Sequence, residues 1–200
     1  MWSFMASAIT HFIVGGALAL PALRSAAIRE VLPRWAIPVS AGLLAVAPDL
    51  DTFAMRAFQI PFGSLFGHRG FWHSPFFLVL FSAALAACVA GRRSRRTVVY
   101  LAVMWAGCAV THPLLDALTD GGSGVMLLFP FSQARLFFPW RPIHVSPLSI
   151  LRFFTRAGYI LRSEAPFCVG AIAIGVSGLL AQSRLSSSCD IMNAQCHERR

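Results

Sequence analysis

The 200-residue chain has no lysine at all, and only five aspartates and three glutamates stand against its 17 arginines. Charged residues make up 12% of it, far below the roughly one quarter usual in soluble domains. With 56% hydrophobic residues and a mean hydropathy of +0.66, there is too little polar surface to wrap a water-soluble globule. The net charge of +9 comes entirely from arginine. These arginines cluster at the ends of apolar blocks, as membrane-flanking charge does, and form no basic reading helix, so nucleic-acid binding is not expected. No CxxC pair occurs among the five cysteines: Cys88, Cys108 and Cys168 lie in apolar blocks as small hydrophobes, and Cys189 and Cys196, with His197, lack the spacing of zinc motifs. No internal repeat is present, which removes the usual mark of an inverted-repeat transporter.

What the chain does have is long apolar runs. Five blocks stand out, at about 6–23, 35–48, 74–91, 98–118 and 165–181. A helix crossing a bilayer needs about 20 apolar residues, which the fourth block meets; the second is short, and can tilt, thin the bilayer or continue into Pro48-Asp49-Leu50-Asp51. The expected fold is therefore all-α: a polytopic helical membrane protein of about five hydrophobic spans. One membrane-embedded domain covers 1–181, with 119–164 as an interfacial cap rich in aromatics, arginines and prolines, and 182–200 is a polar tail expected to be disordered. The first block lacks the charged start and cleavage site of a signal peptide, so it is read as retained. Arg24, Arg29 and Arg34, then Arg92, Arg93, Arg95 and Arg96, fill the two short loops that share a side with the C-terminus. The positive-inside rule puts these loops in the cytoplasm and the N-terminus outside.

Against this apolar background the few ionisable residues are conspicuous. His11, Asp49, Asp51, His68, Arg69, His73, His112 and Asp116 lie in or beside apolar blocks, where unpaired charge is costly. On the five-span topology all of them reach one membrane face. His112 and Asp116 are four apart, so a helix projects both from one side. Asp49 and Asp51 follow a proline, and two carboxylates this close repel unless a cation compensates them; one can bind a metal while the other orients a histidine. His68 and His73 flank Gly70, whose turn can bring both inward. Each element alone has a mundane explanation: a hydrogen-bonded core histidine, a helix-ending turn, a neutral pair, an interfacial arginine. Together they point to a metal centre. The donor set suits Zn2+, with Mn2+ or Fe2+ also compatible. His11, Asp49, His68, His73, His112 and Asp116 are the expected ligands. Asp51 is a spare carboxylate able to act as base, and Arg69 a clamp for an anionic group such as phosphate. Ser74 reads as the N-cap of the third span with Pro75 at its first position. Thr119 and Asp120 lead into a glycine-rich turn, and His144 is a more distant candidate ligand.

These residues carry a family resemblance. His11-x3-Gly15, Pro48-Asp49-x-Asp51, His68-Arg69-Gly70-x-x-His73-Ser74 and His112-x3-Asp116-x-x-Thr119 resemble the YdjM-like inner-membrane proteins, described as membrane-bound metal-dependent hydrolases. The resemblance covers about residues 8–145, including Leu128-x-Pro130-Phe131 and Arg141-Pro142-Ile143. Trp72 departs from it, standing where threonine is usual. The family in turn resembles zinc-dependent phospholipase C and related zinc nucleases, which are helical phosphoesterases. By that likeness the metal ligands would be His11, Asp49 or Asp51, one of His68 and His73, His112 and Asp116. The implied activity is hydrolysis of a phosphoester, lipid-linked in one version, at the outer face of the bacterial inner membrane. The bilayer itself and that substrate are the expected partners. Two other functions fit the same residues: a transporter using them as an ion pathway, or an envelope protein whose metal only staples helices together. Glu30, Glu164 and Glu198 lie outside the cluster, leaving no glutamate as an obvious base.

Overall fold

Serine and proline punctuation sets where the helices begin. Ser7, Ser25, Ser74 and Ser94 each accept a hydrogen bond from the amide three residues on, satisfying a donor that the first helical turn leaves free. They open α1 (Ala8–Leu18), α2 (Ala26–Arg29), α5 (Pro75–Ala90) and α6 (Arg95–Ala117). The computed structural model describes residues 4–147 and 150–198. Between these helices lie α3 (Ala36–Val46) and α4 (Asp51–Phe58), and α7 (Ile150–Glu198) closes the chain. Two-residue strands, Phe4–Met5 and Ser146–Pro147, pair antiparallel. The architecture is all-helical, as expected.

Among the described residues, three helical stretches are long and apolar enough to cross a membrane: Ala36–Phe58, Arg95–Ala117 and Thr155–Arg184; Ala8–Arg24 and Pro75–Ala90 are shorter apolar helices. The second block thus gains its length by continuing past Pro48. Pro48 has no N–H to continue the α-helical ladder, and Ala47–Leu50 forms a 3-10 turn that links α3 to α4. Large apolar side chains such as Val103, Val169 and Ile174 remain exposed on the outer helix faces, the pattern of a surface that meets lipid.

Small residues let the helices approach closely. A Cβ at Gly15 would lie 2.5 Å from Ala45 Cβ, and one at Gly42 would lie 2.8 Å from the Phe12 ring, so α1 and α3 meet through glycine, as helices in lipid commonly do. On its other side α1 packs on α7, where Gly175 rests against the Ala17 carbonyl. Helices α5 and α6 pack together along the greatest length, and α3 also packs on α6. Ile37, Ala41, Leu44, Leu78, Leu101 and Trp105 build the main apolar core; Val14, Leu115, Ile143 and Ala171 build a second one nearer the N-terminus. The two arginine-rich connections meet at one end of the bundle, where Arg24, Arg29 and Arg96 line one cleft.

The last third of the chain differs from expectation. The irregular cap ends at Pro147, and α7 takes over from Ile150, so 150–164 is helix continuous with the fifth block. Arginines at 152, 156 and 162 interrupt the apolar run but not the helix, because charge alone does not break one. Residues 182–198 contain neither glycine nor proline, and α7 runs through them to Glu198 where a disordered tail was expected. The side chains of Cys189, Cys196 and His197 lie outside those described. The cap itself is ordered: Val125 and Leu136 exchange backbone hydrogen bonds of 2.9 Å, and Ile143 and Leu118 are joined at 3.2 Å.

Filling the α1–α3 contact tests this packing. Gly15→Leu should destabilise the detergent-solubilised protein by about 1–3 kcal/mol or more, visible as a lowered thermal unfolding midpoint, whereas Gly107→Leu, at an open position, should leave it nearly unchanged.

Candidate metal centre

Four segments converge at the end of the bundle opposite the arginine-rich loops. His11 comes from the first turn of α1, Asp49 from the 3-10 turn and Asp51 from the start of α4. His112 and Asp116 lie on α6, in its last two turns. His68 and His73 come from the connection between α4 and α5, which folds tightly. Gly67 and Gly70 press against the carbonyls of Phe62 and Leu65, leaving no room for a side chain, and Phe71 N–H donates to Leu65 O at 2.8 Å. All four histidines and Asp116 are fully buried, and Asp49 and Asp51 nearly so.

The donor atoms chain into three triads: His11, His112 and Asp116; Asp49, His73 and His112; and Asp51, His68 and His73. Within each, the candidate ligand atoms lie within 4.8 Å of one another. Asp49 Oδ1 is 3.4 Å from His112 Nε2 and 3.5 Å from His73 Nε2, and Asp116 Oδ2 is 3.6 Å from His112 Nε2. Ligand atoms at about 2.0–2.1 Å from a tetrahedral zinc stand roughly 3.3 Å apart, so these spacings need only slight contraction around an ion. The His112 Nδ1 lies 2.7 Å from the Ala45 carbonyl. A carbonyl only accepts, so Nδ1 carries a proton and Nε2 is the nitrogen left to bind an ion held between it and the carboxylates. His68 Nδ1 sits 2.9 Å from Asp51 Oδ1, the carboxylate–histidine arrangement that orients metal-binding imidazoles. The second Asp51 oxygen is 3.3 Å from His73 Nδ1. Burial holds the His73 imidazole down at about 4, against the opposing pull of its Asp49 partner, so at neutral pH it is in the uncharged form that binds metals.

Both His11 nitrogens, both Asp49 oxygens, both His73 nitrogens, His68 Nε2, His112 Nε2, Asp51 Oδ2 and Asp116 Oδ2 are buried without a hydrogen-bond partner. Leaving even one such group unsatisfied costs about 1–3 kcal/mol. A cation bound among them would satisfy most at once, and imidazole with carboxylate is a fitting donor set for a divalent ion.

The model of the YdjM inner membrane protein family matches residues 5–185, a stretch that contains every residue of the cluster. The chain belongs to this family. Over 118 residues it is also 37% identical to the inner membrane protein YbcI of Escherichia coli (strain K12), covering 58% of this chain and 66% of that protein. The chain thus spans just under two thirds of that relative's length. No solved structure matches.

In this YdjM-family protein the structure gives several polar residues a different place from the one expected. Arg69 does not face outward as a clamp: it is fully buried, with one terminal nitrogen 3.1 Å from Asp116 Oδ1 and 3.0 Å from Thr119 Oγ1, and the other 2.9 Å from the Gly121 carbonyl. Its fork is spent on the protein, so it supports Asp116. Asp51, expected as a spare carboxylate, joins a triad. His144 stays out of the cluster, paired with Asp120 at 2.7 Å and stacked on Tyr159. Ser74 caps α5 as expected, accepting from Phe77 N–H. Two supports had no local signal. Arg135, from the cap, reaches the His68 carbonyl at 2.8 Å and the Ser64 carbonyl at 2.9 Å, tying down the histidine loop. Glu164, on α7, is fully buried and accepts from Ser7 N–H at 2.6 Å and Thr10 Oγ1 at 2.7 Å. It fixes the entrance to α1 beside Ala6, whose amide donates to Asp116 Oδ1 at 3.2 Å.

Elemental analysis of protein purified in detergent should find a bound divalent metal, much reduced in His112→Ala. Arg69→Gln, which keeps every donor but loosens Asp116, should weaken metal affinity about 10–100-fold. Equal metal content and affinity in all three would be incompatible with this assignment.

Proposed function

We propose that this protein is a metal-dependent hydrolase of phosphoesters in the bacterial inner membrane, its His/Asp centre facing the periplasm. One observation carries this reading: three linked His/Asp triads, buried together at one end of an apolar bundle, with most of their donor atoms unpartnered. Zn2+ is the favoured ion, with Mn2+ or Fe2+ as alternatives, because the donors are all imidazole and carboxylate. Ions held there would supply Lewis acidity toward a phosphoryl oxygen and lower the pKa of a water. The chain's own residues do the rest. Arg69 and Thr119 hold Asp116, the Ala45 carbonyl fixes the proton on His112 Nδ1, and Asp51, with the ion held by a triad that does not contain it, would receive the proton of an attacking water.

A second reading has an observation in its favour. The four histidines, with Asp51, are buried and bring together α1, α4, α6 and the histidine loop, as a purely structural metal staple would. Turnover decides between the two. Panels of phosphomonoesters and phosphodiesters should reveal metal-dependent hydrolysis, lost in Asp51→Asn with metal still bound. Metal bound in the wild type without turnover of any substrate would leave the staple.

The membrane orientation rests on the arginines of the two short loops, such as Arg24, Arg29 and Arg96, which line a cleft at the end of the bundle away from the centre. A reporter fused after Arg95 should therefore read as cytoplasmic. A periplasmic signal from that fusion would put the centre on the inner face.

A further inference from the structure

Beside the centre lies a cavity of about 290 Å3 that none of the metal chemistry uses. Leu44 and Leu50 from the α3–α4 stretch line one side, and Phe77 and Phe81 from α5 line the other, with Trp72 between them. The wall is otherwise small or apolar, and Asp51 is its one charged member. Asp51 is also the carboxylate that contacts His68 and His73, so one side chain separates the greasy space from the triads. The Trp72 ring stands edge-on to Phe77, with centroids 5.1 Å apart, and directly precedes His73 in the chain. The cavity lies between the α3–α4 stretch and α5, with Ala109 of α6 at its floor, and Leu50, Phe53 and Phe81 on the outer faces are exposed, which turns its rim toward the bilayer.

A small water-soluble phosphoester has no use for such a space, since apolar walls add affinity only for apolar surface. We infer that this cavity receives the hydrocarbon chain of a membrane lipid, entering sideways from the bilayer, so that the lipid's phosphoester is presented at Asp51 and the adjoining histidines. The hydrocarbon part of the inference rests on the cavity alone; the phosphoester part rests on the hydrolase reading above. Trp72 then sets how deep the chain can reach, and Asp51 marks where the chain ends and the polar headgroup begins.

Photo-crosslinking tests it on the full-length, metal-containing protein in phosphatidylcholine nanodiscs doped with a phosphatidic acid that carries a diazirine in its acyl chain. Labelled peptides mapped by mass spectrometry should concentrate in residues 44–54 and 72–81, above the background on lipid-facing Val99 and Val103. Ala54→Trp and Ala47→Phe, which fill the cavity from two sides, should each cut that labelling severalfold while metal content and the label on Val99 and Val103 stay as in wild type. Label spread evenly over the outer helix faces, or unchanged in both filled variants, would overturn the inference. A water-soluble nitrophenyl phosphodiester separates the two readings. Filled variants should still turn it over while losing the lipid substrate. Concentrated labelling without turnover of either substrate would uphold the cavity and reject the hydrolase; turnover of the soluble ester with diffuse labelling would do the reverse.

Discussion

Asp116 takes hydrogen bonds from the Ala6 amide and from Arg69, and its oxygens lie 3.6–3.9 Å from nitrogens of His112, His11 and His73. One carboxylate therefore connects the N-terminal strand, α1, the histidine loop and α6. Breaking a buried pair such as Asp116–Arg69 strands a charge and typically costs about 3–5 kcal/mol. Its partners are anchored in turn: Arg69 through Thr119 and Gly121, the histidine loop through Arg135, the strand through Glu164. The polar end of the bundle is one connected network, and the helices are arranged so as to close it.

Packing far from any polar atom serves that closure. Gly15 and Gly42 bring α1 onto α3, and this short separation lets the His11 ring stack on His112 with centroids 3.9 Å apart. A larger residue at either glycine would move an imidazole as well as a helix. Pro48 plays a comparable part. It lies in the 3-10 turn that sets Asp49 and Asp51 against the two nitrogens of one imidazole, Asp49 facing His73 Nε2 and Asp51 facing His73 Nδ1.

Much of this was legible in the sequence. Apolar block lengths gave the helices, and the i, i+4 spacing of His112 and Asp116 gave two inward-facing groups on one of them. The scarcity of ionisable residues made the cluster visible, because each had to be held by something. Other parts depend on tertiary contact and leave no local trace. The fate of Arg69 could not be read beside two histidines, since its partners, Asp116 and Gly121, are about fifty residues away. Glu164 looked remote from the cluster until α7 packed on α1. The start of α7 was hidden because its arginines resemble those of a loop. The cavity beside Asp51 exists only once two spans and a tryptophan are in place.

The sharing of histidines between triads limits how many ions the cluster can accept. A neutral imidazole offers one lone pair. His112 has its Nδ1 committed to Ala45, so its Nε2 serves either the His11–Asp116 side or the Asp49 side. His73 likewise serves either Asp49 or Asp51 and keeps a proton on the other nitrogen. The middle triad thus competes with both of its neighbours, while the two outer ones have no residue in common. Occupancy becomes a choice between one central ion and two flanking ions, with Asp49 left to bridge or to accept a hydrogen bond in the second arrangement. Three neighbouring triads amount to at most two full ones, and the arithmetic of lone pairs, rather than the space available, sets that ceiling.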